Sequence, residues 1–201
     1  MKLRTFLWVM ALSTALIACK DDDNDRFSIE FDNEVYEATF RTLGETEPVT
    51  ITSDIGTPEI VIDAGTDPAI SYNMDTGILS WSELLPLDET SVTLVATSGS
   101  RETTTTIMIN NSFAGEFSGS FADSGMDITF IFNADVLTVN VDGNEGDVTS
   151  WDRNGYGITV TYSIAGLSTT LSGTINPSGQ ITGQALDNDG QPIDEFTLDM
   201  M

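Results

Sequence analysis

From Phe27 onward the chain consists of short runs of β-branched and aromatic residues broken by Gly, Pro, Asn and Asp, with no stretch of helical periodicity. Apolar residues recur at every second position in Phe27/Ile29/Phe31, Val49/Ile51, Ile60/Ile62, Ile70/Tyr72, Val92/Leu94/Ala96 and Ile107/Ile109. Such alternation puts one row of side chains on one face of a strand. Turn signals separate the runs at Asp32-Asn33, Asp54 to Pro58, Gly65 to Pro68, Asp75-Thr76-Gly77 and Ser98-Gly99-Ser100. About seven short strands over residues 27–111 is the number expected of a two-sheet sandwich.

Asn110-Asn111 separates the Thr-rich run Glu102 to Ile109 from a new pattern that occupies residues 112–201. Phe113, Gly115, Phe117, Gly119 and Phe121 alternate aromatic and glycine on one face, which suits a sharply bending strand. Strands are predicted at 126–132, 136–141, 148–151, 157–164, 169–175, 180–186 and 195–200. Tight turns join them at Asp142-Gly143, Asn154-Gly155 and Asn176 to Gly179, so an up-and-down meander of about eight strands is expected. Closed into a barrel it would have no free edges; left open it would.

Two resemblances refine this all-β reading. Ile70 to Trp81 with its Asp75-Thr76-Gly77 turn, followed by the strand Ser91 to Thr97, is similar to Ig- or cadherin-like modules of bacterial surface proteins. The cadherin calcium motifs are not matched. Leu171-Ser172-Gly173-Thr174-Ile175 and Gln180-Ile181-Thr182-Gly183-Gln184 together resemble the closing strands of small lipocalin-like barrels in secreted bacterial lipoproteins. The expected body is an Ig-like β-sandwich followed by a small antiparallel barrel-like domain.

Residues 1–18 read as a secretory signal: Lys2 and Arg4 open it, and Phe6 to Ala18 form an apolar stretch shorter than the roughly 20 residues that span a bilayer. Leu16-Ile17-Ala18-Cys19 resembles the lipobox of bacterial lipoproteins, which implies cleavage before Cys19 and lipid on that cysteine. One acyl chain binds a membrane only marginally, at roughly 10⁴ M⁻¹, whereas several give durable anchoring. Lys20-Asp21-Asp22-Asp23-Asn24-Asp25 is similar to the export signal of Bacteroidetes surface lipoproteins, which implies an outer-membrane protein facing the cell exterior. Residues 19–26 are at the least a solvated acidic tether.

Composition then narrows the chemistry. The 201 residues carry 32 acidic and 7 basic side chains, a formal charge of −25. Two of the basic residues and none of the acidic ones precede Cys19, so removal of the leader takes the charge to −27. Such a surface repels phosphate backbones and excludes nucleic acid as a partner. Histidine is absent and Cys19 is the only cysteine, which removes disulfides, Cys/His zinc sites and histidine-based nucleophile systems. No cofactor is expected.

The remaining candidates are few. Trp151 beside Asp152, Arg153, Asn154 and Tyr156 would offer an aromatic face and polar groups to a sugar ring or a protein partner, and Trp81 and Tyr162 are further stacking candidates; core packing is the ordinary fate of such rings. Asp187, Asp189 and Asp194, and separately Asp142, Glu145 and Asp147, gather oxygen ligands near turns, but neither set follows the EF-hand order, and hairpin caps are the simpler reading. Phe117, Phe130, Val139 and Val160 would line a barrel interior that either holds a small apolar ligand or is packed solid. The expectation is a non-enzymatic surface lipoprotein that binds glycan or protein. A carrier of a small hydrophobic ligand is the alternative, and a carboxylate-based hydrolase stands third.

Overall fold

A computed structural model describes residues 26–133 and 136–201. The leader, Cys19 and the tether up to Asp25 lie outside the described residues.

The first unit is a β-sandwich of nine strands: β1 (Phe27–Glu30), β2 (Val35–Thr39), β3 (Gly44–Glu45), β4 (Thr50–Ser53), β5 (Glu59–Ile62), β6 (Ile70–Asn73), β7 (Ile78–Trp81), β8 (Asp88–Ser98) and β9 (Arg101–Ser112). One sheet runs β2-β9-β8-β5 and the other β3-β7-β6, with β1 and β4 paired separately. All pairings are antiparallel except β2 with β9. The long β8–β9 hairpin divides its faces by alternation: Val92, Leu94, Ala96, Ile107 and Ile109 are buried against Leu79 and Trp81 of the opposing sheet. On the outer face Thr93 and Thr106 join hydroxyls at 2.8 Å. The predicted pair Val49/Ile51 divides instead, with Val49 buried and Ile51 exposed, because β4 pairs only with the short β1.

The second unit is a closed antiparallel barrel of eight strands in chain order: β10 (Gly115–Phe121), β11 (Asp127–Asn133), β12 (Val136–Val141), β13 (Asn144–Asn154), β14 (Gly157–Ile164), β15 (Leu167–Ile175), β16 (Gln180–Leu186) and β17 (Pro192–Met200). Strand β17 pairs back onto β10, with Phe121 opposite Phe196, so no edge remains. Backbones approach closely where Gly173 sits opposite Gly183 in the β15–β16 register. A side-chain carbon on Gly183 would collide with the Ser172 carbonyl oxygen and crowd the Phe196 ring. In β13 a bulge at Thr149 shifts the alternation, so that Val148 and Trp151 both pack against the core.

The sandwich is joined to one end of this barrel by side chains that cross from one core to the other. Ala38, Leu85 and Ile109 lie in the sandwich core, whereas Phe40, Leu87 and Phe113, a few residues further on in each case, belong to the barrel core. Phe113 packs at 4.7 Å from Phe132, 5.3 Å from Phe117 and 5.7 Å from Phe40. The segment carrying Leu85 and Leu87 is fixed by buried Asn111, whose Nδ2 donates to the carbonyls of Leu85 and Pro86, both at 2.9 Å. Arg41 adds a surface tie, pairing with Glu83 at 3.2 Å and donating to the Pro177 carbonyl at 3.3 Å.

Candidate functional site

Consecutive antiparallel strands reverse direction, so alternate hairpins of the barrel share an end. The β13–β14 turn at Gly155-Tyr156 and the β15–β16 turn at 176–179 lie at the end closed by the sandwich. The turns at 122–126, 142–143, 165–166 and 187–191 surround the opposite, free mouth.

The aromatic cluster singled out in the sequence falls at the closed end and is divided by strand geometry. Trp151 and Arg153 turn toward the core while Asp152 and Asn154 point outward and are exposed, because successive strand residues face opposite ways. Trp151 is half-buried, edge-on to Phe132 at 5.5 Å. Arg153 is committed to the junction: it pairs with Asp88 of the sandwich, donates to the Gly155 carbonyl at 2.7 Å and lies 5.9 Å over the Phe113 ring. Its guanidinium holds the Asp88 carboxyl below the usual range, by hydrogen bond first. Tyr156 is exposed in the adjoining turn. Trp81 is buried in the sandwich core and Tyr162 lies toward the free mouth, so the four rings considered for sugar stacking do not form one platform.

The four residues considered for an interior pocket, Phe117, Phe130, Val139 and Val160, are completely buried in one apolar cluster with Ile128, Leu171, Ile181 and Leu198. Space opens beyond them, at the free mouth. There Phe121, Val141, Tyr162, Thr169 and Ala185 form the floor of a cavity of about 150 Å³ whose rim carries Ser124, Met126, Ile193 and Asp194. A cleft of about 340 Å³ shares Met126, Val141, Tyr162 and Thr169 and continues over Ile164 to Leu167. Met126, Ile193 and Leu167 are 42%, 54% and 76% exposed. Three of the four free-mouth hairpins therefore present a large apolar side chain to water beside one continuous depression.

The floor is held by two devices. Tyr162 sits opposite Thr169 across β14 and β15, and burial pushes its phenol upward. Gly146 leaves room for that ring, since a side-chain carbon there would lie 2.9 Å from Tyr162 Cδ2.

Two of the acidic residues considered for calcium, Asp187 and Asp194, act as turn caps. Asp187 Oδ1 accepts from the amides of Asp189 at 2.9 Å and Gln191 at 2.8 Å. Asp194 Oδ1 accepts from Asp123 at 2.8 Å and Oδ2 from Ser124 at 3.1 Å, folding the 122–126 loop against β17. Those amides, Asp123 first, hold the Asp194 carboxyl below its usual range. A general acid for glycosidic cleavage needs the opposite shift. Among the described residues no group of three or more His, Cys, Asp or Glu is arranged to hold a metal ion.

The charge around the mouth has one sign. Residues 112–201 contain thirteen acids and one base, and that base, Arg153, is at the far end. Asp123, Asp142, Asp187, Asp189, Asp194 and Glu195 all lie in or beside the free-mouth turns. No family model and no curated protein sequence matches the chain.

Met126, Leu167 and Ile193 were not singled out in the sequence, yet a signal for them exists. Each lies beside the Gly- or Pro-containing turn of an alternate hairpin, so strand parity alone assigns all three to one end.

Proposed function

We propose that the chain is a non-enzymatic lipoprotein, anchored through lipid on Cys19 and facing the cell exterior, that docks a partner protein on the free mouth of its barrel. The observation that carries this reading is the apolar rim of Met126, Leu167 and Ile193, placed at the end of the barrel opposite the sandwich. Exposed apolar clusters around a depression are typical of interaction surfaces. With the sandwich bolted to the closed end, the body acts as a rigid spacer that holds this mouth away from the anchor.

A protein suits the mouth better than the other ligands considered. Sugar recognition relies on aromatic faces, and the exposed rim is aliphatic, with Trp151 engaged at the other end. A carrier needs an enclosing pocket of roughly 300–1,000 Å³ for a drug-sized ligand. The cavity here is about 150 Å³ and the barrel interior behind it is filled.

The reading is tested by placing a photo-crosslinking residue at position 167 on the surface of intact cells, with position 61 of the sandwich as control. Val61 is also an exposed apolar residue. A discrete protein adduct from 167 and none from 61 is expected; no adduct from 167, or the same adducts from both, overturns it. Replacement of Cys19 by Ser is expected to abolish labelling with a palmitate analogue, and retained labelling would remove the anchor.

A further inference from the structure

Deepening the docking reading and resting on it, we infer the chemistry of the partner: the mouth takes a protein segment in which one aliphatic or aromatic side chain is flanked by Lys or Arg. Two independent features meet there. The first is size. A cavity of about 150 Å³ matches a group of benzene size, since an engineered apolar cavity of ~150 Å³ accommodates benzene. It therefore takes one side chain of a longer segment, and the adjoining cleft of about 340 Å³ gives that segment a path across the rim toward Leu167.

The second feature is charge. Asp123, Asp142, Asp187, Asp189 and Glu195 lie in or beside the turns around the opening, and the mouth has no basic residue to offset them. Within a Debye length of ~8–10 Å these carboxylates act together on anything that enters. Acidic or purely apolar segments gain nothing from that field, whereas Lys and Arg can lay their aliphatic stems along the rim and present their charges to the acids.

The test uses the mature chain and a fluorescein-labelled ten-residue probe peptide carrying four lysines around a central Leu-Phe pair, followed by anisotropy. Binding is expected to weaken as salt rises, and to weaken about tenfold or more when the Leu-Phe pair becomes Ser-Ser. The decisive variant is Ile193→Asp, because the two contributions then move in opposite directions. Adsorption by charge alone would tighten on adding a carboxylate; anchoring in the cavity predicts about tenfold weaker binding.

Ile193 is more than half exposed, so the variant should fold, and unchanged Trp151 emission in a Trp81→Phe background verifies it. Leu167→Asp provides an independent second variant. Absence of binding, or binding left unchanged or tightened by Ile193→Asp and Leu167→Asp, overturns the inference. A crosslink from position 167 on cells without probe binding in solution would leave the docking reading standing and remove the cationic partner.

Discussion

Arg153, on barrel strand β13, reaches across the junction to pair with Asp88, at the start of sandwich strand β8, with both terminal guanidinium nitrogens, Nη1 and Nη2, donating to the carboxylate. The Asp88 side chain is about half exposed, so solvent screens much of the attraction and the pair itself contributes on the order of 0.5–1 kcal/mol. The guanidinium also stands over Phe113, which adds about 0.5–1 kcal/mol. Arg153→Ala is therefore expected to lower stability by about 1–2 kcal/mol, read as a shift in the urea midpoint.

The same pair gives a pH dependence with a definite sign. The Asp88 carboxyl is held below its ordinary value of 3.8, so protonation favours the state in which the pair is broken. Its contribution is complete above that ordinary value and is lost as pH falls through the depressed folded one. Asp88→Asn is a suitable reference, because Asn tolerates the positive φ of 74° at this position. The stability difference between the native chain and Asp88→Asn, present at neutral pH, should shrink as the pH falls below about 4. General relief of repulsion among the acids acts on both chains alike and cancels in the difference.

Phe40 belongs by sequence to the sandwich and by packing to the barrel, so its truncation tests whether the two units unfold together. Removing a fully buried Phe costs about 3–5 kcal/mol. Residues 26–201 contain one tryptophan in each unit, Trp81 and Trp151, so Trp81→Phe and Trp151→Phe variants of a chain starting at residue 19 report the two halves separately. Coincident denaturation midpoints are expected in the native background, with both moving down together in Phe40→Ala. A barrel midpoint that stays in place would mean that Phe40 is not part of its core.

How much of this could be read beforehand differs between the two ends of the barrel. The eight strands and the all-β class follow from alternation and turn residues, which are local and survive in the sequence. Phe40 and Leu87 joining the barrel core could not be inferred, because nothing in their neighbourhood distinguishes them from the sandwich residues Ala38 and Leu85. The run Trp151 to Asn154 is divided for a physical reason: residues adjacent in a strand point to opposite faces, and the bulge at Thr149 sets which face each takes. The free mouth was legible in principle through hairpin parity. Its use required knowing that the other end is occupied, which only the folded chain reveals.

Two glycines separate steric from conformational cost. Gly183 has no room for a side-chain carbon between Ser172 and Phe196, whereas Gly190 has open space but a φ of +76°. Gly183→Ala must push strands apart and is expected to cost about 3 kcal/mol or more, in the range of a badly overpacked core. Gly190→Ala only forces an L-residue into the left-handed region, at about 1–2 kcal/mol. Thermal midpoints should rank native above Gly190→Ala above Gly183→Ala; equal midpoints for the two variants would remove the close approach at Gly173 and Gly183 as a steric constraint on the barrel.

The carboxylate of Asp194 decides between a cap and a calcium ligand at the free mouth. As a cap it protects the amides of Asp123 and Ser124 from exchange, and Asp194→Ala should speed exchange at those two positions about tenfold while leaving Phe130 and Val139 unchanged, since loop opening and core opening are separate events. Because its carboxyl is held below the ordinary 3.8, the protection should persist at mildly acidic pH and disappear only as pH falls through the depressed value. Millimolar calcium should leave exchange at Asp123 and Ser124 unaltered, since both carboxylate oxygens already accept backbone hydrogens. Calcium-dependent slowing there, in the native chain and not in Asp194→Ala, would make the residue a metal ligand and would place a cation in the mouth where we expect a partner's lysine or arginine.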